Sequence, residues 1–330
     1  MNAISCTSSS QISANDQIVL LGSCFSDSMY DLMMADKLNV ASNHLGTIFH
    51  PLALFQIIER SLTSRSFLKE DYFKYDNYWF CYEQHSCMAE RNLQEAVKKS
   101  NDQLDALKNA LQNADHLVLT FGSAWGYFMD EKIVANCHQQ PGDLFVKKLS
   151  DAQMIKKELG KVLLMLKKLN PDLNILLTVS PVRHLKDGVV ENQWSKSILH
   201  VFCHEIVQEF NQVAYFPSYE LVMDELRDHH YFKSDKVHLT LEAVDRVYEF
   251  VQEQLFSPAL KERTKEWARL KKSLAHRSLR LYSSSNLKFK LKVIKELQSF
   301  AVKHKVNCDK ELRELNLEVE LIQLELNSVS

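Results

Sequence analysis

The sequence predicts an α/β protein in which helices cover both faces of a mostly parallel sheet. Short apolar runs of strand length alternate along the chain with longer amphipathic helical patterns, which is typical of repeated strand–helix–strand units. Three of the predicted strands end in clusters of polar side chains, which a strand that serves only the core does not need. The runs predicted as buried strands are Ile18–Leu21, His116–Phe121, Leu173–Val179 and Ala214–Phe216.

The first predicted strand runs through Gly22 into Ser23 and Cys24 and then into an amphipathic helix. Two nucleophilic side chains therefore lie at the carboxyl end of a strand and at the N-terminus of a helix. Free N–H groups and the helix dipole favour a thiolate, an alkoxide or a bound oxyanion at such a position. Either Ser23 or Cys24 is a candidate nucleophile. The alternative is that small residues serve only a tight strand–helix turn.

A loop before the last helix of the alternating pattern carries Asp235 and His238, three residues apart. This spacing allows the carboxylate to fix the tautomer of the histidine, which can then act as general base for a nucleophile. The alternative is a solvated surface histidine, because an isolated Asp-x-x-His is common.

Between the two ends of the domain, Tyr72–Tyr82 is aromatic and is predicted as a hairpin around Asp76-Asn77.

Composition excludes several classes of protein. The chain has 330 residues, of which 45% are hydrophobic and 25% charged, as in an ordinary globular protein. Its longest apolar runs have only strand length, so we predict no membrane span, and the N-terminus lacks the features of a secretory signal. Seven scattered cysteines without a CxxC motif favour free thiols and a cytoplasmic location. The seven glycines form neither a GxGxxG nor a GxxxxGK[ST] motif, which disfavours a nucleotide cofactor.

The character of the sequence changes after Ser257, which predicts an α/β domain over residues 1–257 and a helical extension over residues 258–330. Residues 258–305 carry 14 lysines and arginines against three acidic residues, a net charge of +11. The basic residues are spread around helices that also carry apolar residues, and no nucleic-acid-binding signature accompanies them. We therefore expect helices that dock or self-associate rather than a nucleic-acid partner. Coiled-coil-like spacing supports this: Leu312, Leu315, Val319, Ile322 and Leu326.

Taken in order, the motifs resemble the GSCFA family, which is regarded as a branch of the SGNH/GDSL hydrolase superfamily. The resemblance covers roughly residues 14–255. It implies a three-layer α/β/α fold and an ester-hydrolase-like active site that uses neither a metal nor an organic cofactor, and it leaves the substrate unspecified. The motifs are GSCFS, NHLGTIFHP, TFGSAWGY, VANCH, SPVRH with a following Ser195-Lys196, YFPSYE and DKVH.

The resemblance also implies roles for individual residues. In SGNH enzymes the first strand ends in Gly-Asp-Ser, so a register placed on Gly22 makes Cys24 the positional nucleophile, whereas Ser23 would keep the serine chemistry. A thiol at a helix N-terminus beside a histidine is expected to have a lowered pKa. The oxyanion glycine corresponds to Gly46. The third block lacks its usual asparagine, so the remaining binding candidates are Gly122, Asn43 or Asn136 as amide donor, and His184.

The function implied is hydrolysis of an acyl ester on a small or carbohydrate-type substrate. Cys24 or Ser23 would attack, His238 would act as base and then acid, and Asp235 would orient it. Three alternatives stay open: acyl transfer at the same site, a non-catalytic protein that binds acyl or glycan ligands, and an interaction protein that works through its C-terminal extension.

Overall fold

A parallel β-sheet forms the centre of the first of two units in the computed structural model, which describes residues 4–8 and 10–328. The first unit comprises the N-terminal segment up to Gln11, Asn15–Met34 and Asn39–Leu255. Its strands, in chain order, are β1 (Gln17–Gly22), β2 (Asn39–Ser42), β3 (Phe73–Tyr75), β4 (Tyr78–Phe80), β5 (His116–Phe121), β6 (Trp125–Met129), β7 (Lys132–Val134), β8 (Val146–Leu149), β9 (Asn174–Val179) and β10 (Val213–Tyr215).

Five strands pair in parallel in the order β2-β1-β5-β9-β10. Numbered along the chain, this is the order 2-1-3-4-5 of flavodoxin-like sheets, with the topological switch point between β1 and β5. Strands β3 and β4 form the predicted hairpin, and β6, β7 and β8 form a separate antiparallel sheet inserted after β5. The helices of this unit are α1 (Cys24–Ala35, whose last residue belongs to the second unit), α2 (Pro51–Leu62), α3 (Leu93–Asn113), α4 (Ala152–Leu169), α5 (Val189–Glu209), α6 (Ser218–Glu220) and α7 (Leu241–Leu255).

The sheet is buried on both faces. Val19 and Leu21 of β1 belong to a core cluster that also contains apolar residues of α2, α3, α4 and α5. Ile18 and Leu20 point to the opposite face, because side chains alternate along a strand, and they are equally buried. This burial is what a parallel sheet requires. The predicted three-layer α/β/α fold with a helical C-terminal region is therefore confirmed.

The second unit contains Phe256–Ser330 together with two short segments from earlier in the chain, Ile12–Ala14 and Ala35–Leu38. Side chains of its first helix hold these segments, since the indole N–H of Trp267 donates to Ala35 O at 2.6 Å and Arg263 donates to Ala14 O at 2.9 Å. The division between the units is thus not a single point in the sequence. Its helices are α8 (Pro258–Ala275), α9 (Ser284–His304) and α10 (Asp309–Ser328).

Part of the positive charge of the second unit is paired within that unit. Lys290, whose side chain is 6% exposed, lies 2.6 Å from Glu318, and Lys303 and His304 both contact Glu266. The three helices share an apolar core of buried residues that includes Trp267, Leu297 and Phe300. Self-association of these helices stays a prediction. Within the described residues, no helix is long and apolar enough to cross a membrane.

Candidate active site

The β1–α1 turn lies at the switch point, pressed against the end of β5. Gly22 has a φ of +131°, and a Cβ built on it would lie 2.1 Å from Thr120 O. Only glycine fits this backbone, because any side chain would collide with the neighbouring strand. The residue pair that follows is thereby fixed at the crevice where open α/β sheets bind their ligands.

The two candidate nucleophiles have opposite environments. Ser23 is 2% exposed, its N–H donates to Thr120 O at 3.0 Å, and its Oγ accepts from the Phe25 N–H at 3.3 Å. Cys24 is exposed as a residue and begins α1, although the protein around its sulfur partly desolvates the thiol. Of the two adjacent side chains, only that of Cys24 is open to a substrate.

The electrostatic surroundings of Cys24 correct one expectation. Burial first, and then the charge of Asp27, raise the pKa of the Cys24 thiol above its usual value of 9.0. The backbone N–H groups of Cys24 and Phe25 and the charge of Lys196 act in the opposite direction but do not prevail. The expected lowering of the pKa was therefore wrong: the helix N-terminus is outweighed by desolvation and by a carboxylate one turn into the same helix.

Asp27 also fixes the loop that carries Asn43 and Gly46. Its carboxylate accepts from Asn43 Nδ2 at 2.7 Å and from Thr47 Oγ1 at 2.9 Å, and Asn43 Oδ1 accepts from the Gly22 N–H at 2.8 Å. The Gly46 N–H donates to Asn43 O at 2.7 Å. Asn43 and Gly46 therefore lie beside the start of α1, with the Gly46 N–H already engaged in a turn.

Replacing Asp27 with asparagine is expected to make Cys24 more reactive. Removing the carboxylate removes a charge that disfavours the thiolate, so the pKa of Cys24 should fall. The rate of alkylation by iodoacetamide at pH 8 should rise about threefold or more. Mass spectrometry of the Cys24 peptide measures this rate, and the matched control is Asp31→Asn, which removes the same charge one turn further along α1. An unchanged or slower rate in Asp27→Asn would contradict this prediction.

The structure brings Asp235 and His238 together in the loop before α7. Asp235 Oδ2 lies 2.7 Å from His238 Nδ1, while Oδ1 accepts from the N–H groups of Val237 and His238 at 2.9 and 3.0 Å. These bonds, the one to the imidazole first, lower the pKa of Asp235. A carboxylate on Nδ1 makes that nitrogen the donor and leaves Nε2 as the proton acceptor. Both side chains are about half exposed, at 46% and 49%.

This loop lies at the carboxyl end of β9. The Arg183 N–H donates to Val237 O at 3.2 Å, which places His238 near His184. Burial, followed by the charge of Lys196, lowers the pKa of His184 to about 4, and the charge of His238 contributes in the same direction. The charge of Lys196 therefore acts on the pKa of both His184 and Cys24, and the charge of His238 acts on the pKa of His184.

Lys196 lies at the ends of two sheet strands, and the sequence motifs assigned it no role. Its ammonium nitrogen is fully buried and donates to Gly122 O and Ser180 O, both at 2.7 Å, which joins the segments that follow β5 and β9. Burial lowers its pKa to about 7. The available signal was a lysine on the apolar face of α5, where a charge needs partners. Asp27 was missed because nothing in its spacing distinguishes it from a solvated helix residue.

Gly122 and Asn136, two of the predicted binding residues, lie in different parts of the structure. The Gly122 N–H donates to Phe49 O at 2.8 Å, and a Cβ there would lie 2.6 Å from Phe49 Cβ and 3.2 Å from His184 Nε2. Gly122 therefore allows the Phe49 and His184 rings to approach each other. Asn136 Oδ1 accepts from the His138 N–H at 2.8 Å and faces a neighbouring cavity. Among the residues described, no group of three or more His, Cys, Asp or Glu side chains is placed to hold a metal ion.

The fold and the crevice define an α/β protein of flavodoxin-like strand order with an exposed cysteine at its switch point. A family model described as the GSCFA family matches residues 17–250, which is more than half of the sequence, and the chain belongs to that family. No curated protein matches the chain.

Among solved structures, the chain is similar to an acetyl xylan esterase (Est2A) from the rumen bacterium Butyrivibrio proteoclasticus. The two are 12% identical with a TM-score of 0.36, over 72% of this chain and 64% of that one. The match therefore spans less than two thirds of the esterase's length.

Proposed function

We propose that the first unit hydrolyses acyl esters of a small or carbohydrate-type substrate and that Cys24 is the nucleophile. The observation that carries this proposal is the contrast between exposed Cys24 and buried Ser23 at the carboxyl end of β1. A serine whose Oγ already accepts a backbone N–H, and which water does not reach, is poorly placed to attack. Cys24, an exposed residue at the switch point whose thiol is only partly desolvated, has access to a substrate carbonyl.

A base is required, because the raised pKa keeps the Cys24 thiol protonated near neutral pH. The proposed base is His238, whose Nε2 accepts a proton while Asp235 holds Nδ1. Nε2 takes the thiol proton as the sulfur attacks the carbonyl carbon, and it returns that proton to the departing alcohol oxygen. This step leaves an acyl thioester on Cys24. Water, deprotonated by the same nitrogen, then releases the carboxylic acid and regenerates the thiol.

The oxyanion is proposed to form at the N-terminus of α1, where helix N–H groups and the macrodipole favour negative charge. Asn43 lies beside this terminus, because its Oδ1 accepts the Gly22 N–H. The N–H groups of Gly46 and Gly122 donate to Asn43 O and Phe49 O. We therefore assign these two glycines to shaping the crevice rather than to donating to the oxyanion.

Hydrolysis of p-nitrophenyl acetate by matched variants tests the proposal. Cys24→Ala and His238→Ala are expected to lower kcat/KM by at least about 100-fold, since each removes a group that acts in the chemical step. Ser23→Ala should retain activity. The control is His230→Ala, because His230 forms a similar exposed pair with Asp228 in the same segment, at 3.3 Å.

The mass of the intact protein after reaction with an activated-ester probe identifies the nucleophile. We expect one added acyl group on Cys24 in the wild type and in Ser23→Ala, and none in Cys24→Ala. Acylation of Ser23, or turnover by the wild type that does not exceed the buffer rate, would refute the proposal.

A further inference from the structure

A cavity of about 350 Å³ lies beside the proposed catalytic edge. Strands β6 and β7 of the inserted antiparallel sheet and the loop between β7 and β8 build most of its wall, and its size falls in the range of small-molecule sites. The wall is rich in aromatic side chains: Phe49, Trp125, Tyr127 and Phe145.

Phe49 connects this cavity to the catalytic edge. It lines the cavity, and its ring lies with the centroid 5.3 Å from that of His184. The absence of a side chain on Gly122 permits this contact, since a Cβ there would lie 2.6 Å from Phe49 Cβ. A group bound in the cavity therefore lies next to the segment that carries His184, the electrostatic neighbour of His238 and Lys196.

The chemistry of the wall selects an uncharged, apolar occupant. The described lining holds no acidic side chain, lysine or arginine. Part of its polar surface is bonded to protein: His50 Nδ1 accepts from the Leu52 N–H, and His50 Nε2 lies 3.2 Å from Ala124 O. Asn136 Oδ1 accepts the His138 N–H. A sugar would rely on the few polar side chains of this wall, Asn136, Cys137 and Gln140, whereas an apolar group needs only the larger aromatic surface.

We propose that this cavity holds the acyl group of the substrate and selects uncharged apolar acyl chains longer than acetyl. This inference rests on the proposed ester hydrolysis. It assigns specificity to the inserted β6–β8 sheet, whereas the chemistry belongs to the edge of the parallel sheet. The alcohol part of the ester then lies outside the cavity, toward solvent.

Substitution of Gly142 tests this assignment without backbone strain. Gly142 lines the cavity, and a Cβ built on it meets no atom within 4 Å, so a larger side chain starts in open space. Wild type is expected to prefer p-nitrophenyl hexanoate to the acetate. Gly142→Phe should lower kcat/KM for the hexanoate by about tenfold or more while the acetate changes less than about threefold. Gly142→Ala, which adds only a methyl group, should leave both substrates unchanged.

A binding measurement separates failure of this inference from failure of the proposed chemistry. Hexanoyl anilide, an amide that resists hydrolysis, is titrated against the full-length wild type and Gly142→Phe, with the signal read from tryptophan fluorescence. Binding by the wild type that weakens about tenfold or more in Gly142→Phe supports the cavity even if no ester is turned over. Equal losses on acetate and hexanoate, or no binding of the anilide by the wild type, would overturn it.

Discussion

The protein should lose stability steeply as the pH falls from 6.5 to 4. Burial lowers the pKa of His50 from 6.5 to about 4, and that of His184 falls to about 4 as well. Above pH 6.5 both histidines are neutral in the folded and unfolded chains, so their contribution is fully present. Between pH 6.5 and 4 the unfolded chain binds protons that the folded chain does not, and stability falls. For His50 alone, which is 3% exposed, the loss is about 3 kcal/mol.

The hydrogen bonds of His50 explain why its buried ring resists protonation and has a low pKa. Its Nδ1 accepts the N–H of Leu52 at the start of α2, so a proton on that nitrogen would place two donors against each other. Its other nitrogen already faces Ala124 O and Ser150 Oγ. A charge on this ring would have neither water nor an acid to stabilise it. Burial lowers the pKa of His138 in the same direction, which adds to the effect.

Urea unfolding at a series of pH values measures this loss. The wild-type free energy of unfolding should fall by more than about 1.4 kcal/mol per pH unit, the slope for one proton, over part of this range. His50→Gln should be less stable at pH 7 but show a shallower slope, because glutamine does not titrate. The exposed control, His230→Gln, should keep the wild-type slope. A free energy of unfolding that is constant between pH 6.5 and 4.5 would contradict the prediction.

The buried strands and the hairpin were predictable because local signals and tertiary structure agree there. The β1, β5 and β9 sequences are continuous apolar runs, as strands buried on both faces must be. Asp76 and Asn77 both adopt positive φ, at 42° and 63°, as a tight hairpin turn requires. The edge strand β2 was missed, because the sequence NVAS is short and partly exposed.

The candidate site was only partly predictable, since its electrostatics come from tertiary contacts. The pairing of Asp235 with His238 follows from their spacing within one loop. The ionisation of Cys24 does not, because it depends on Asp27 and on Lys196, which lies far away in the sequence. No pattern of residue spacing predicts that Lys196, in α5, donates to carbonyl groups that follow two different strands.

Replacing Lys196 with methionine is expected to suppress the thiolate of Cys24. The charge of each group affects the pKa of the other. A thiolate on Cys24 can be stabilised by a nearby ammonium only while Lys196 is present. Without that charge, the thiolate fraction of Cys24 should fall at pH 6.5, where Lys196 is still protonated, and alkylation by iodoacetamide at that pH should slow. The pKa of His184 should also rise, because the charge of Lys196 contributes to its lowering. An NMR titration of the His184 ring measures that second shift.

The same substitution should cost several kcal/mol of stability, because Gly122 O and Ser180 O lose their donor at about 1–3 kcal/mol each. Lys196→Gln keeps an amide that can donate to these carbonyls, so it should fold better while still lacking the charge. Alkylation of Cys24 at pH 6.5 should therefore slow in both variants, whatever their stability. The surface control Lys157→Met should leave that rate unchanged.

Lys196 should also make the folded protein more stable as the pH rises from 7 to 8.5. Its pKa is about 7 in the folded protein and 10.5 in the unfolded chain, so between pH 7 and 8.5 the unfolded chain binds more protons. Because of Lys196, the free energy of unfolding of the wild type should therefore increase as the pH rises from 7 to 8.5. This range lies below the usual pKa of the cysteine thiols, so their titration contributes little to the change. Lys196→Met should lose this gain, and urea unfolding at pH 7 and 8.5 measures it. An equal pH dependence in wild type and Lys196→Met would show that Lys196 stays charged throughout, held by its two carbonyls.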